Sequence, residues 1–258
     1  MRSVGILALV LGAQMLVSPA GAANFTFSTG PRKVSLQIGN RPVLVTASGA
    51  VSASSRGSNE YLLTLRLDAD LSDIQEHMTG LMRSQLDRNG ACGDRITIER
   101  AALIPAEPSV RAVIQLNYER YACVKLFGKR RAEKLIGGNG LVQVKFTPIV
   151  EDQKTLRLVP EVEQIQARGS LGQLLRSGSI GATVRQKISK ALLSAMQRGA
   201  DPQLTLPPAL QNVAAISEAQ FDDEGSGRLG FMLAGQALIS SQQIQLIKDK
   251  LRRRLPLR

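Results

Sequence analysis

The chain has 258 residues, 43% of them hydrophobic, which argues against disorder and leaves room for one large domain or two small ones. Only 3% are aromatic and none is Trp, so the core must be built from Leu, Val, Ile and Ala. A formal charge of +12 points to anionic surroundings.

The N-terminus reads Met1-Arg2-Ser3, then Val4 to Val17 without a charge, then Ser18-Pro19-Ala20-Gly21-Ala22-Ala23. One cation, a short apolar stretch, a helix breaker and small residues predict a cleavable signal peptide over residues 1–23. The apolar run is too short for a membrane span of roughly 20 residues. The mature chain, residues 24–258, is therefore expected in the periplasm or fully secreted. Export removes nucleic acid as the default anionic partner and leaves phospholipid head groups, lipopolysaccharide or acidic polymers. No stretch rich in Pro, Gly or Ser divides the mature part, which reads as a single domain.

Alternation of period two recurs along the chain, at Val34/Leu36/Ile38, Tyr61/Leu63/Leu65/Leu67, Ile96/Ile98 and Val110 to Tyr118. It returns at Val142/Val144/Phe146, Leu156/Leu158 and Leu229/Phe231/Leu233. One buried and one wet face per strand is the pattern of antiparallel sheet. Turn-forming residues separate the runs at Gly39–Pro42, Ser54–Asn59, Pro105–Pro108, Glu151–Lys154 and Asp222–Gly227. Gly137-Gly138-Asn139-Gly140 is also read as a turn, because a phosphate loop needs Lys-Ser/Thr and a helix after the glycines and a strand follows here.

Three stretches change to helical spacing. The first carries Leu71, Ile74, Met78, Leu81 and Met82; the second begins at Leu171, Leu174 and Leu175 and resumes after Gly178 as Ile180, Val184, Ile188, Leu192 and Ala195; the third carries Ile244, Ile247, Leu251 and Leu255. The middle helix, if continuous from Ser170 to Gln197, spans roughly 40 Å. Gly57-Ser58, Tyr61, Leu63, Leu65, Ala69, Leu71, Ser72 and Gln75 are echoed 168 positions later by Gly225-Ser226, Leu229, Phe231, Leu233, Ala237, Ile239, Ser240 and Gln243. Both copies run turn, strand, helix, and both offer Ser-x-x-Gln, the capping-box pattern. Any hairpin followed by a helix could give the same echo. The fold class is α+β, with a curved, mainly antiparallel sheet of roughly nine strands wrapped around a long helix, and three helices in all.

Two cysteines, Cys92 and Cys123, lie in the mature part. Folding the chain about the Pro105–Pro108 turn brings Cys92 opposite a residue near 121, within a slip or two of Cys123. Export and an even count favour a disulfide closing that hairpin, over two free buried thiols.

The spine from Leu171 to Met196, the hairpins feeding it and the closing unit from Phe221 through Leu251 resemble the tubular lipid-binding (TULIP) superfamily. The resemblance is architectural and covers most of residues 45–255; the chain is shorter than two-module members and poorer in aromatics. It implies a curved antiparallel sheet rolled around a long helix, enclosing an apolar channel for a phospholipid, sterol or other lipid, without catalysis.

Motifs for chemistry are sparse. His77 is the single histidine, and triads and zinc sites need it in company. No G-x-S-x-G elbow is present. The carboxylate pairs Asp70/Asp73, Asp222/Asp223/Glu224 and Glu161/Glu163 sit where helix starts, turns and strand faces accommodate them. No catalytic, metal or cofactor site emerges. Two basic clusters remain: Lys125, Lys129, Arg130, Arg131 and Lys134 around Leu126-Phe127, and Lys248, Lys250, Arg252, Arg253, Arg254 and Arg258 at the end. The second stabilises a helix C-terminus; the first is either a solubilising surface or a dock for anionic head groups. The sequence thus reads as an exported, non-enzymatic binder or carrier of an apolar ligand near an anionic envelope surface. Leu174, Ile180, Val184, Ile188 and Leu192 are expected to line its interior, and the Lys125–Lys134 loop to meet the membrane. The alternative is an envelope adaptor with a solid core and no ligand.

Overall fold

The structure is a computed structural model, and it describes residues 25–38, 41–56, 59–87, 92–126, 129–177, 182, 186, 203–206 and 212–243. These form strands β1 (Phe25–Ile38), β2 (Arg41–Ser55) and β3 (Glu60–Asp70), helix α1 (Ser72–Leu86), and strands β4 (Gly93–Ala106), β5 (Ser109–Leu126), β6 (Lys129–Glu151) and β7 (Thr155–Ala167). Helix α2 (Gly169–Arg176) and strands β8 (Gln203–Thr205), β9 (Ala214–Asp223) and β10 (Leu229–Ser240) follow. All sheet pairings are antiparallel, as the alternation requires. The expectation of one nine-stranded sheet is corrected: the strands form two five-stranded sheets, ordered β1-β2-β3-β10-β9 and β4-β5-β6-β7-β8. Alternation reports that a strand has one dry face, not which strand lies beside it. Among the described residues no sheet wraps a long helix. The expected spine is described as α2 at its start, and the third helix at its first turn, Ser241–Gln243.

The first sheet explains the sequence echo. β2 pairs with β3 through Ala53↔Leu63 and Val51↔Leu65, and β9 pairs with β10 at the positions 168 further on, Phe221↔Phe231 and Ala219↔Leu233. The turns match as well: Arg56 N–H donates to Glu60 O at 2.9 Å, and Glu224 N–H donates to Arg228 O at 3.0 Å. β3 and β10 lie side by side in register about the Arg66↔Ala234 pair, so an approximate two-fold axis through that pair relates the two hairpins. The correspondence holds up to the bulge at Ala234/Gly235. The two Ser-x-x-Gln patterns differ in outcome. Ser240 and Gln243 form the reciprocal capping box, at 2.8 and 3.2 Å. Ser72 instead gives its amide and hydroxyl to Asp70, and Gln75 is drawn away to Leu103 O, Gly227 O and Leu229 N–H.

Gln75 belongs to a polar stripe on α1 that covers the outer edge of β4. At intervals of four residues, Gln75 donates to Leu103 O, the Thr79 hydroxyl exchanges bonds with both Ala101 O and Ala101 N–H, Arg83 donates to Ile98 O and Glu99 O, and Asp87 accepts from Ile98 N–H. The helix thus occupies the place of a neighbouring strand and hides an edge that could otherwise pair with another chain. Its apolar side joins both cores. Met82 and Leu86 pack with Ile98, Ile114, Leu116, Val142 and Val144 of the second sheet. Leu71, Ile74 and Met78 pack where Leu103, Val110 and Ala112 meet Phe221 and Leu229 of the first. The far edge of β9 is also occupied, by turns of the second sheet: Phe221 N–H donates to Pro108 O, Asp223 N–H to the Glu107 carboxylate and Ile216 N–H to Gln153 O.

The Gly137–Gly140 turn is a further correction, since these residues lie inside β6. A Cβ at Gly138 would overlap the Arg168 carbonyl, so the glycine lets the start of α2 rest directly on the strand. Glycine inside a strand can mark such a close backbone approach as well as a turn. For the edge cover, Thr79→Val keeps the side-chain shape and deletes both bonds to Ala101, and should lower unfolding stability by about 1–3 kcal/mol in denaturant titrations. Glu76→Ala, on the exposed side of the same helix, should change it by no more than about 0.5 kcal/mol. Equal effects of the two would show that the edge contacts add no stability.

Candidate functional site

The first basic cluster is gathered onto a two-stranded arm. β4 stops at the Gly93↔Tyr121 pair, while β7 reaches along β6 only to Gly140↔Ala167. Beyond those points β5 and β6 pair only with one another, through Ala122↔Glu133, Cys123↔Ala132, Val124↔Arg131, Lys125↔Arg130 and Leu126↔Lys129. At about 3.4 Å per residue the arm overhangs Tyr121 by roughly 17 Å. Residues 122–134 contain five cations and one carboxylate, Glu133. Two large apolar side chains are exposed beside them: Val124, and Leu135, the extra residue of the β-bulge between Lys134 and Ile136, which is 57% exposed.

A staple and a polar clamp hold the base of this arm. Cys92 and Cys123 form the expected disulfide, with Cα atoms 5.6 Å apart. Glu119 accepts from both the Tyr121 hydroxyl and the Lys134 ammonium, with Arg95 Nη1 at 3.7 Å. Arg95 also lies 4.7 Å over the Tyr121 ring, a cation–π contact. The hydrogen bond from Lys134, then that from Tyr121, holds the Glu119 carboxyl below its ordinary range, and Glu119 in turn raises the Lys134 ammonium. Tyr118 donates to Asp94 at 2.7 Å, and its hydroxyl pKa is pushed up to about 12, first by burial and then by that bond. Lys134 is therefore held in the clamp at the base of the arm, and Lys125, Lys129, Arg130 and Arg131 lie on the strands beyond it.

Of the expected interior lining, Leu174 lies in α2, and Ile180, Val184, Ile188 and Leu192 lie outside the described residues, as do the C-terminal basic cluster and the N-terminal segment 1–23. The helix start is anchored by its two neighbouring leucines, Leu171 and Leu175, both buried. Beside α2 an open groove of about 630 Å³ crosses the end of the second sheet. Its walls include Gln115, Leu141, Ile165, Leu175, Arg168 and Arg176, with Glu99 at the β4 side. The sequence reading missed this groove. Its signal was a cation at either end of a short helical stretch, Arg168 before it and Arg176 at its close, with Gly172 between them.

The acidic groups occupy a different corner. Asp222 on β9 has a buried Oδ1 with no hydrogen-bond partner among the described residues, and burial, then Glu107 and Asp68, raises its pKa. Glu224 is raised by burial and then by Asp70, whereas the two bonds from Ser72 lower Asp70. Asp73, Glu76 and His77 are close enough to share an ion. Yet Asp73 already accepts the Leu44 amide at 2.6 Å and faces His77 Nδ1 at 3.2 Å, and a helix N-terminus disfavours a cation. Asp73 tethers α1 to β2. Among the described residues no helix is long and apolar enough to cross a membrane.

No protein-family model, curated protein or solved structure matches this chain.

Two predictions follow from this geometry. Cys92→Ser with Cys123→Ser opens a loop of sequence separation 31 and should lower stability by about 3–4 kcal/mol, measured by thermal or denaturant unfolding against the oxidised wild type. A second concerns pH. With raised folded pKa values, Asp222 and Glu224 contribute stability that is fully present below the ordinary carboxylate range and is lost as pH rises through the folded values. Asp70, with a lowered value, contributes above that range and loses its contribution as pH falls. Asp222→Asn should therefore raise Tm by roughly 1–2 °C at neutral pH, discounted for partial exposure, with the gain vanishing in acid. A gain that persists unchanged in acid would assign the effect to something other than the carboxylate charge.

Proposed function

We propose that this chain is an exported, non-enzymatic protein that binds or carries an apolar ligand such as a lipid while seated on an anionic envelope surface, in the manner of tubular lipid-binding proteins. The observation that carries the reading is the arm. It sets Lys125, Lys129, Arg130 and Arg131 on two paired strands that overhang the sheet, next to the exposed side chains of Val124 and Leu135. Cations near an anionic bilayer gain about 1 kcal/mol each, and apolar side chains beside them can enter the head-group region. The Cys92–Cys123 bridge is consistent with an oxidising compartment outside the cytoplasm. The apolar stripe of the spine, with Ile180, Val184, Ile188 and Leu192 lining an interior, completes the reading. The tight core around Ile98, Ile114 and Val144 favours the second reading, an adaptor without ligand.

Vesicle flotation and lipid extraction test the two halves. Wild type should float with phosphatidylglycerol-containing vesicles, be released by salt, and ignore pure phosphatidylcholine. Lys125→Gln, Lys129→Gln, Arg130→Gln and Arg131→Gln together should weaken that binding by at least about a hundredfold, given about 1 kcal/mol per cation. Organic extraction of purified protein should yield a lipid in stoichiometric amount. Flotation without extractable or added lipid bound would leave the adaptor; no flotation at all would refute the surface assignment.

A further inference from the structure

We propose that the groove beside α2 is a binding site for an anionic amphiphile, whose acid head group sits on Arg168 and Arg176 and whose hydrocarbon lies over Leu141 and Leu175. The proposal rests on the reading of the chain as a binder of apolar ligands, and adds the ligand's charge class and its place. Arg168 immediately precedes the first residue of α2, Gly172 N–H reaches its carbonyl at 3.4 Å, and Arg176 follows Gly172 by one turn of the helix, so that all three line the groove. Gly172 puts no side chain between the two guanidinium groups, and Arg176 Nη1 leans back toward it. Neither arginine has an ion-pair partner among the described residues. In contrast, Arg66, Arg95, Arg111, Arg120, Arg157 and Arg228 are all set against carboxylates. Two unpaired guanidiniums facing one groove suit a carboxylate or phosphate, which they can bind with paired hydrogen bonds. Glu99 is the one carboxylate on the walls and stands on β4, across the groove from α2.

The floor supplies the other half of an amphiphile's chemistry. Gln115, Leu141 and Gln166 are paired in one row across β5, β6 and β7, so a chain laid along the row meets an aliphatic side chain flanked by amides. Leu175, buried, closes the side toward α2, while the Ile165 side chain, paired with Val142, turns to the core on the other face of the sheet. The volume of about 630 Å³ falls within the range of small-ligand sites, about 300–1,000 Å³, and suits one acyl chain with its head group.

The test uses the full mature protein and a fluorescent sixteen-carbon fatty acid, with its uncharged methyl ester and inorganic phosphate as comparisons. The acid should bind saturably, at least about tenfold tighter than the ester, and phosphate should fail to displace it. Arg168→Gln and Arg176→Gln, made singly and together, should reduce binding of the acid toward that of the ester. Gln115→Trp should lower binding of both by filling the groove, and all four proteins should keep the wild-type Tm and wild-type vesicle flotation. If the acid binds as tightly to these variants as to wild type, or if acid and ester bind alike, the groove assignment is overturned while the broader reading stands on lipid bound elsewhere. Displacement by phosphate would replace the amphiphile with a small free anion. If wild type binds no amphiphile and releases no lipid on extraction, both the groove and the carrier reading fall.

Discussion

The edge of β4 is the constraint on which the arrangement depends. β4 borders the second sheet, and a strand at a border leaves amides and carbonyls that must find partners. Four side chains of α1, spaced one turn apart, supply those partners along Ile98 to Leu103. Because a helix rises only about 1.5 Å per residue and a strand about 3.4 Å, twelve residues of helix match five or six of strand. That match fixes the axial position of α1. Once it is fixed, the adjoining face of the helix brings Met78 and Leu81–Met82 into the space between the sheets, where Phe221 and Leu229 arrive from the other side.

The second seam between the sheets follows the same logic with different parts. β9 ends the first sheet, and the Glu107–Pro108 and Gln153 turns of the second give it hydrogen-bond partners. Within the first sheet the repeated hairpin solves a packing problem twice. Two similar strand pairs placed about the Arg66↔Ala234 axis put β3 and β10 at the centre, where each finds a partner of its own kind. The repeat stops being symmetric where the surroundings differ. Gln75 has the β4 edge and the β9–β10 loop to bind, so its capping box opens, while Gln243 keeps its own.

The arm is the part of the molecule whose chemistry exceeds its packing. A two-stranded ribbon is marginal in water, and this one spends its sequence on cations rather than on a buried face. The disulfide and the Arg95–Glu119–Tyr121–Lys134 clamp hold it at its base. Such a division, with stability at the root and charge at the end, suits a surface that must reach another surface. The groove beside α2 lies on the same sheet, at the point where β7 leaves β6.

Local pattern by itself determined a good deal here. Period-two alternation located most of the strands, the Pro105–Pro108 turn with its two flanking strands placed Cys92 near Cys123, and the apolar stripe Leu71 to Met82 located α1. The 168-residue echo marked a real structural unit. These features depend on near neighbours in sequence, where spacing translates directly into which side of an element a residue occupies. Only the tertiary structure decided that the strands divide into two sheets, that Gly138 admits a helix rather than a turn, that Lys134 is bound to Glu119, and that Arg168 and Arg176, without ion-pair partners among the described residues, stand at one groove. Each of these is settled by a partner distant in sequence. The same glycine or lysine suits a turn, a strand or an ion pair equally well until the opposing surface is in place.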